Sequence, residues 1–299
     1  MTNIGIDVSK HQGVIDWAKV KAANIAFAMI RAGYGKVSSQ KDSKFEENYK
    51  NAKAVGIPVG AYHYSYAKTV EDAKKEAQVF LSWIAGKQFE YPVVFDIEDA
   101  SQVNLGKQLI SDIIRAFCSA VESAGYYVSV YANKDWLLNR IDDDVKKKYD
   151  TWLAEWREEP TYTGNFGIHQ YTSKGSVSGI TGNVDMNKST KDYPGIIKKN
   201  GLNGFNKTNN ANQNTPQGDT GKTTQTFSAH TRVILSNSPL YVSSTTMKVA
   251  ARKTGAYYIY DGIEMNGRYR ITNADSNVGK LPMSNCVTGY VDKNDMKVG

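Results

Sequence analysis

The sequence predicts an α/β chain in two parts: an irregular (β/α) barrel over residues 1–198, then a flexible tether over 199–226 and a small all-β barrel over 227–299. Three observations predict it. Up to about residue 196, short apolar runs alternate with stripes of helical period, and the helical cover thins after residue 140. From about Gly201 the composition turns to Asn, Gly, Thr and Gln, with almost nothing that can pack. Beyond residue 226 the helical period gives way to alternating Tyr, Val and Thr punctuated by Gly and Asn.

In chain order, the candidate strands of the first part are Ile4–Asp7, Ile25–Arg31, Val59–Tyr64, Val93–Ile97, Val128–Tyr131, Trp152–Glu155, Ile168–Tyr171 and Val184–Met186. Pro92-Val-Val-Phe95 has no polar alternation, so it reads as a strand covered on both faces, as in a parallel sheet. Val70, Ala73, Ala77, Phe80, Leu81 and Ile84 make one helical stripe, and Leu109, Ile110, Ile113, Ile114, Phe117 and Val121 make another. In the second part, Tyr257–Tyr260 and Arg268–Thr272 read as strands, with tight turns at Asp261-Gly262 and Asn266-Gly267. Its aromatic content exceeds what so small a core needs, which predicts rings on the surface as a recognition patch.

Composition excludes several functions. No apolar run approaches a membrane span, and no basic start or apolar core of a secretory signal precedes the first strand, which predicts synthesis in the cytoplasm. Cys118 and Cys286 are the only cysteines, too few for a disulfide framework. His11, His63, His169 and His230 lack metal-ligand spacing, and neither a dinucleotide fingerprint nor a phosphate loop is present, so neither metal nor cofactor is expected. The net charge of +7 comes from the tail: residues 1–196 hold 24 basic and 24 acidic side chains, residues 197–299 hold 13 and 6. A basic tail favours a polyanionic partner, but without a dense Lys/Arg stripe nucleic acid is not expected.

The most informative segment is Tyr91-Pro-Val-Val-Phe-Asp96-Ile-Glu98-Asp99. Successive side chains on a strand point to opposite faces, so Asp96 and Glu98 project to one side with β-carbons roughly 7 Å apart. Two carboxylates that close, at the end of an apolar run, cannot both ionise freely. One should hold its proton near neutral pH, as a general acid must, and glycosidic cleavage is the commonest use of such a pair. Asp99 points to the other face and reads as a structural partner.

Four segments resemble the glycoside hydrolase family 25 lysozymes: Gly5-Ile-Asp7-Val-Ser-Lys-His-Gln-Gly13 with Ile15-Asp-Trp17; Gly60-Ala-Tyr62-His63-Tyr64; Phe95-Asp96-Ile-Glu98; and Gly182-Asn-Val-Asp185-Met-Asn187. The resemblance implies an N-acetylmuramidase with Glu98 as general acid, Asp96 acting with it on the reacting centre, and Asp7 and Asp185 as further carboxylates around the same cavity. Whether Asp96 attacks the anomeric carbon or orients the substrate's own acetamido group stays open, although the spacing on one strand suits the second. The resemblance also implies a glycan groove built from Tyr62, Tyr131, Trp156 and Gln170. The last 73 residues are similar to bacterial Src-homology-3-like wall-binding modules. Together these imply an endolysin acting on the glycan strands of bacterial peptidoglycan after release from the host cytoplasm, held there through a wall peptide or anionic wall polymer. A catalytically silent wall-binding adhesin and a glycosidase for another N-acetylated glycan such as chitin are the competing readings.

Overall fold

The structure, a computed structural model, describes residues 2–206, 227–244, 249–265, 267–280 and 286–299. The chain divides into two compact units, Met1–Ala211 and Asn212–Gly299. Most of the expected tether, residues 207–226, lies outside the described residues.

In the first unit eight strands close into a barrel in sequence order: β1 (Asn3–Val8), β2 (Phe27–Tyr34), β3 (Val59–Tyr64), β4 (Val93–Asp96), β5 (Val128–Asn133), β6 (Asp150–Ala154), β7 (Ile168–Gly175) and β8 (Val184–Ser189). Strands β1 to β7 are parallel to one another. β8 runs antiparallel to both neighbours. The reason is local: residues 176–183 are all that join β7 to β8, and a parallel crossover needs a dozen residues or more. The layer of helices is correspondingly uneven. α1 (Trp17–Ala22), α2 (Phe45–Ala54), α3 (Val70–Ile84), α4 (Lys107–Ser123), α5 (Lys134–Asn139) and α6 (Asp143–Lys148) all precede β6, and among the described residues of this unit only α7 (Tyr193–Asn200) follows it.

The period-two pattern of the strands sorts side chains into two cores. Phe27, Met29, Tyr62, Val94, Tyr131, Trp152 and Ile168 fill the barrel interior. Their strand neighbours Ala28, Ile30, Ala61, Val93, Phe95 and Val130 face the helices. Interior crowding explains two glycines: a β-carbon on Gly5 would lie 2.4 Å from the Phe27 ring, and one on Gly60 would lie 2.6 Å from the Met29 sulfur. Outside, both helical stripes dock on the sheet. α4 buries Ile110, Ile113, Ile114, Phe117, Cys118 and Val121, and Phe117 stacks on Phe95 of β4 at 4.1 Å. Burying each such side chain stabilises the fold by about 1.5–3 kcal/mol, which fixes β4, and with it Asp96, from behind.

The barrel-packed chain runs past the expected boundary at residue 198. Asn203 is fully buried; its amide nitrogen donates to the Phe89 and Tyr91 carbonyls at 3.1 and 2.8 Å, and its oxygen accepts from Tyr127 N at 2.7 Å. With Tyr193 and Ile197 of α7, Leu202 and Phe205 join the interior core.

The second unit is a five-stranded antiparallel sheet of β9 (Arg232–Leu240), β10 (Ala251–Met265), β11 (Arg268–Thr272), β12 (Gly289–Asp292) and β13 (Met296–Val298), in the order β12-β11-β10-β9-β13. Paired bonds of 2.9 Å between Tyr241 and Tyr290 join the end of β9 to β12, so the sheet curls on itself. The expected aromatic surface patch is absent among the described residues: Tyr260, Tyr269, Tyr290 and Phe227 are buried, and Tyr241, Tyr257 and Tyr258 are half-buried. A unit this small has little volume to exclude water, and its large rings supply the core. No helix among the described residues is long and apolar enough to cross a membrane.

Candidate active site

A cleft of about 300 Å³ opens at the barrel end where β1 to β7 finish. Asp7 lies near the end of β1 and Asp96 closes β4, while Glu98 follows two residues after the strand stops. Asp185 reaches the same rim from the opposite chain direction: β8 is reversed, so its first residues stand level with the last of β1, and Asp185 is paired directly across from Asp7. Facing residues of that kind have β-carbons about 4.5–5.5 Å apart.

All eight residues singled out in the sequence line this cleft: the four acids together with Tyr62, Tyr131, Trp156 and Gln170. Asp7 and Asp96 are buried, Glu98 and Asp185 half-buried. Among the described residues none of the four makes an ion pair, and no group of His, Cys, Asp or Glu side chains is arranged to hold a metal ion. Burial without an ion pair has the expected effect. Desolvation, with Asp185 and Asp99 adding to it, pushes the Glu98 carboxyl up to about 7. Desolvation and Asp185 also push Asp7 up to about 7, against the pull of hydrogen bonds from Asn187 and Gln170. Asp96 is driven well above the usual carboxylate range by burial and by Glu98 and Asp7, with Arg31 working in the other direction. Burial raises Asp185 as well.

A chain of donors fixes Asp7. The Trp152 indole donates to Asn187 Oδ1 at 2.8 Å, and Asn187 Nδ2 donates to Asp7 Oδ2 at 2.8 Å. From the other side, the Trp156 indole and the Tyr131 hydroxyl donate to Gln170 Oε1 at 2.9 and 3.0 Å, and Gln170 Nε2 donates to the same Asp7 oxygen at 2.9 Å. An indole N–H can only donate, so each tryptophan sets the direction of an amide that in turn addresses Asp7. Asp96 Oδ1, by contrast, is buried with no hydrogen-bond partner among the described residues. Trp156 is 66% exposed, with its indole nitrogen tethered, and this leaves its ring available at the rim.

The sequence did not single out Arg31, Tyr64 or Trp152 as part of the lining, nor Asn187 as a partner of Asp7. Arg31 carried a signal, a charge closing an apolar run, and Asn187 stood inside a quoted motif. Trp152 reads as an ordinary strand residue until β5 and β6 are set beside each other. Two other residues face away from the chemistry. Asp99 accepts from Ser101 N at 2.8 Å and from the Tyr64 hydroxyl at 3.1 Å. His63 is buried in the helix layer among Phe80, Trp83, Phe95 and Phe117.

Carboxylates held partly protonated beside stacking aromatic rings, at the strand ends of a closed barrel, define a glycoside hydrolase site. The profile of glycosyl hydrolases family 25 matches residues 6–180, and the chain belongs to that family. It is 30% identical over 187 residues to an autolytic lysozyme of Clostridium acetobutylicum, a match covering 62% of this chain and 55% of that protein. It is 32% identical over 199 residues to lysozyme M1 of Streptomyces globisporus, covering 62% of this chain and 66% of that one. The chain therefore spans between half and two thirds of the length of these relatives. Among solved structures, the CTP1L endolysin superposes with a TM-score of 0.59 at 29% identity, covering 66% of this chain and 70% of that one.

Proposed function

We propose that the protein is a phage-type endolysin whose barrel is an N-acetylmuramidase, hydrolysing the β-1,4 bond between N-acetylmuramic acid and N-acetylglucosamine in bacterial peptidoglycan with retention of configuration. The observation that carries this reading is the gathering of four carboxyls without ion pairs in one cleft, with Glu98 held at about 7. A carboxyl at that value keeps a large share of its protons near neutral pH and lines the cleft half-buried, which suits a general acid.

In this reading Glu98 protonates the glycosidic oxygen as the bond to the anomeric carbon breaks. The acetamido oxygen of the muramic acid attacks that carbon from the other face. Asp96 holds the acetamido N–H through the buried Oδ1 that has no partner among the described residues. Water then opens the ring so formed and gives its proton back to Glu98. Asp7 and Asp185 face the positive charge that develops on the sugar. Tyr62, Tyr131 and Gln170 shape the groove, and Trp156 stacks on a sugar ring at its rim.

The curled sheet of the second unit serves as a Src-homology-3-like module that binds a wall peptide or an anionic wall polymer. A tether between the units would raise the local glycan concentration without fixing geometry. The names of the relatives, lysozymes and an endolysin, agree with action at the cell wall.

The test is mass spectrometry of fragments released from purified Gram-positive peptidoglycan by the wild type and by Glu98→Gln. Muramic acid at the new reducing ends, absent with the variant, is the expected result. Glucosamine ends would overturn the muramidase assignment. Wall binding without any fragments would make the protein an adhesin.

A further inference from the structure

Beside the acidic cleft lies a second cavity of about 280 Å³, lined by Lys10, His11, Arg31, Tyr34, Tyr64 and Tyr66. It shares His11, Arg31 and Tyr64 with the cleft, so the two form one continuous depression. The lining changes sign across that boundary, because no Asp or Glu lines the second cavity. We propose that this cavity is a subsite for the carboxylate-bearing substituent of muramic acid, the feature that separates wall glycan from chitin. The inference rests on the muramidase reading and adds the means by which the enzyme tells one N-acetylated glycan from another.

Two of the cationic donors are free for such a ligand. Lys10 and His11 are exposed, and neither side chain makes a hydrogen bond or ion pair to a described residue. Arg31 Nε is bound to the buried Asp42 at 2.8 Å, which fixes the guanidinium in place, and its Nη2 has no partner among the described residues. Asp42 is thereby matched, leaving the charges of Lys10 and, when protonated, His11 in surplus. Asp42 also accepts from the Lys10 backbone N–H at 3.1 Å, and Asp99 stands behind Tyr64, accepting from that hydroxyl. The three tyrosine rings brace one another edge to face, with Tyr66 5.2 Å from Tyr64 and 6.0 Å from Tyr34. Cations serving only to balance the four acids would be paired with them, and Lys10 and His11 are not.

An ammonium, an imidazole and the phenol hydroxyls of Tyr34 and Tyr66, with no Asp or Glu in the lining, make a carboxylate-binding wall. Muramic acid differs from glucosamine by a lactyl ether whose carboxyl is either free or extended by a stem peptide bearing carboxylates of its own. A sugar seated over the four acids would bring that group to the neighbouring cavity.

The test compares the wild type with a Lys10→Gln/His11→Gln double variant, whose two positions are exposed and outside the barrel core. Three soluble substrates are used: glycan strands stripped of peptide by an amidase, the same strands with their carboxyls capped as methylamides, and strands still carrying peptides. Capping should lower the wild-type kcat/KM by about tenfold through KM, the size of a partly exposed charge-assisted contact. The double variant should show that loss on the uncapped strands and no longer distinguish capped from uncapped. A loss confined to peptide-bearing strands would assign the cavity to stem-peptide carboxylates, still as an anion subsite. A double variant matching the wild type on all three substrates would overturn the subsite alone. A wild type that cleaves none of them would overturn the hydrolase reading and the subsite with it.

Discussion

Replacing Glu98 with Gln should stabilise the barrel at pH 8 while removing its activity. The folded protein holds this carboxyl at about 7 against an ordinary 4.5. Between those values the folded state keeps a proton that the unfolded chain has released, so this group's contribution makes stability fall as pH rises from about 4.5 to about 7. Above that window the native state carries the full penalty of a charge it disfavours. The difference corresponds to about 3 kcal/mol as a ceiling, and partial access to water in the cleft reduces the observable share to about 1–2 kcal/mol. Glutamine keeps the shape without the charge. Thermal unfolding followed by tryptophan fluorescence reads the barrel alone, since all five tryptophans, Trp17, Trp83, Trp136, Trp152 and Trp156, lie in the first unit. The variant should melt about 3–6 °C higher at pH 8 and within a degree or so of the wild type at pH 4, while wall lysis falls by at least about a hundredfold. A variant that melts lower at pH 8 would mean that the charged carboxylate is a stabilising partner, and the assignment of an acid held protonated by burial would be lost.

Asn187→Leu removes one donor from Asp7 and leaves the Trp152 indole without an acceptor, so the Asp7 carboxyl should rise further; the acidic limb of the pH–rate profile then moves up by about one unit, and an unmoved limb would deny Asp7 an electrostatic role. Trp156→Ala should raise KM for soluble glycan several-fold with kcat held, because the ring sits at the rim and the Tyr131 hydroxyl still donates to Gln170 Oε1; a fall in kcat instead would mean that the indole is needed to orient Gln170 toward Asp7. Asn203→Ala strands three backbone groups at the closed end of the barrel and places alanine at a φ of +54°; urea titration should find about 2–4 kcal/mol lost, and a loss under half a kcal/mol would count against that reading.

How much of this was legible depended on how local the cause was. β3 spans the six residues its pattern predicts, Val59–Tyr64, because period-two alternation and flanking helices are local signals. The stripes that became α3 and α4 were equally plain. The acid pair at the end of β4 could be read from burial and spacing alone, whereas Asp7 and Asp185 joined it only through resemblance. The donors around Asp7 are a different matter: Asn187 is 180 residues from Asp7 in the chain, and Trp152 is 35 from Asn187. Nothing in the local pattern of Trp152 tells an interior ring that orients an amide from one that merely fills space. The boundary near residue 199 failed for the same reason. An Asn-rich stretch reads as tether because its amides need partners, and Asn203 finds them at Phe89 and Tyr91, more than a hundred residues away.

The reversal of β8 is the step in the fold on which the site most depends. Were β8 parallel like the others, its first residues would lie at the closed end of the barrel, where Tyr193 and Phe205 pack, and Asp185 would be there with them. The eight residues between β7 and β8 are too few for a crossover, so the strand must return as a hairpin, and the first turn of side chains on it meets the last of β1. That one strand then supplies two opposed influences on Asp7. Asp185, directly across, raises its carboxyl, and Asn187, two residues further along the same face, donates to its Oδ2 and holds it down. A carboxyl poised near 7 by burial and the repulsion of its neighbours against two hydrogen bonds responds to small changes in its surroundings, such as the positive charge of a reacting sugar, far more than one settled at either extreme. A short connector, unremarkable in composition, is in this way what converts a pair of acids at the end of β4 into a ring of four.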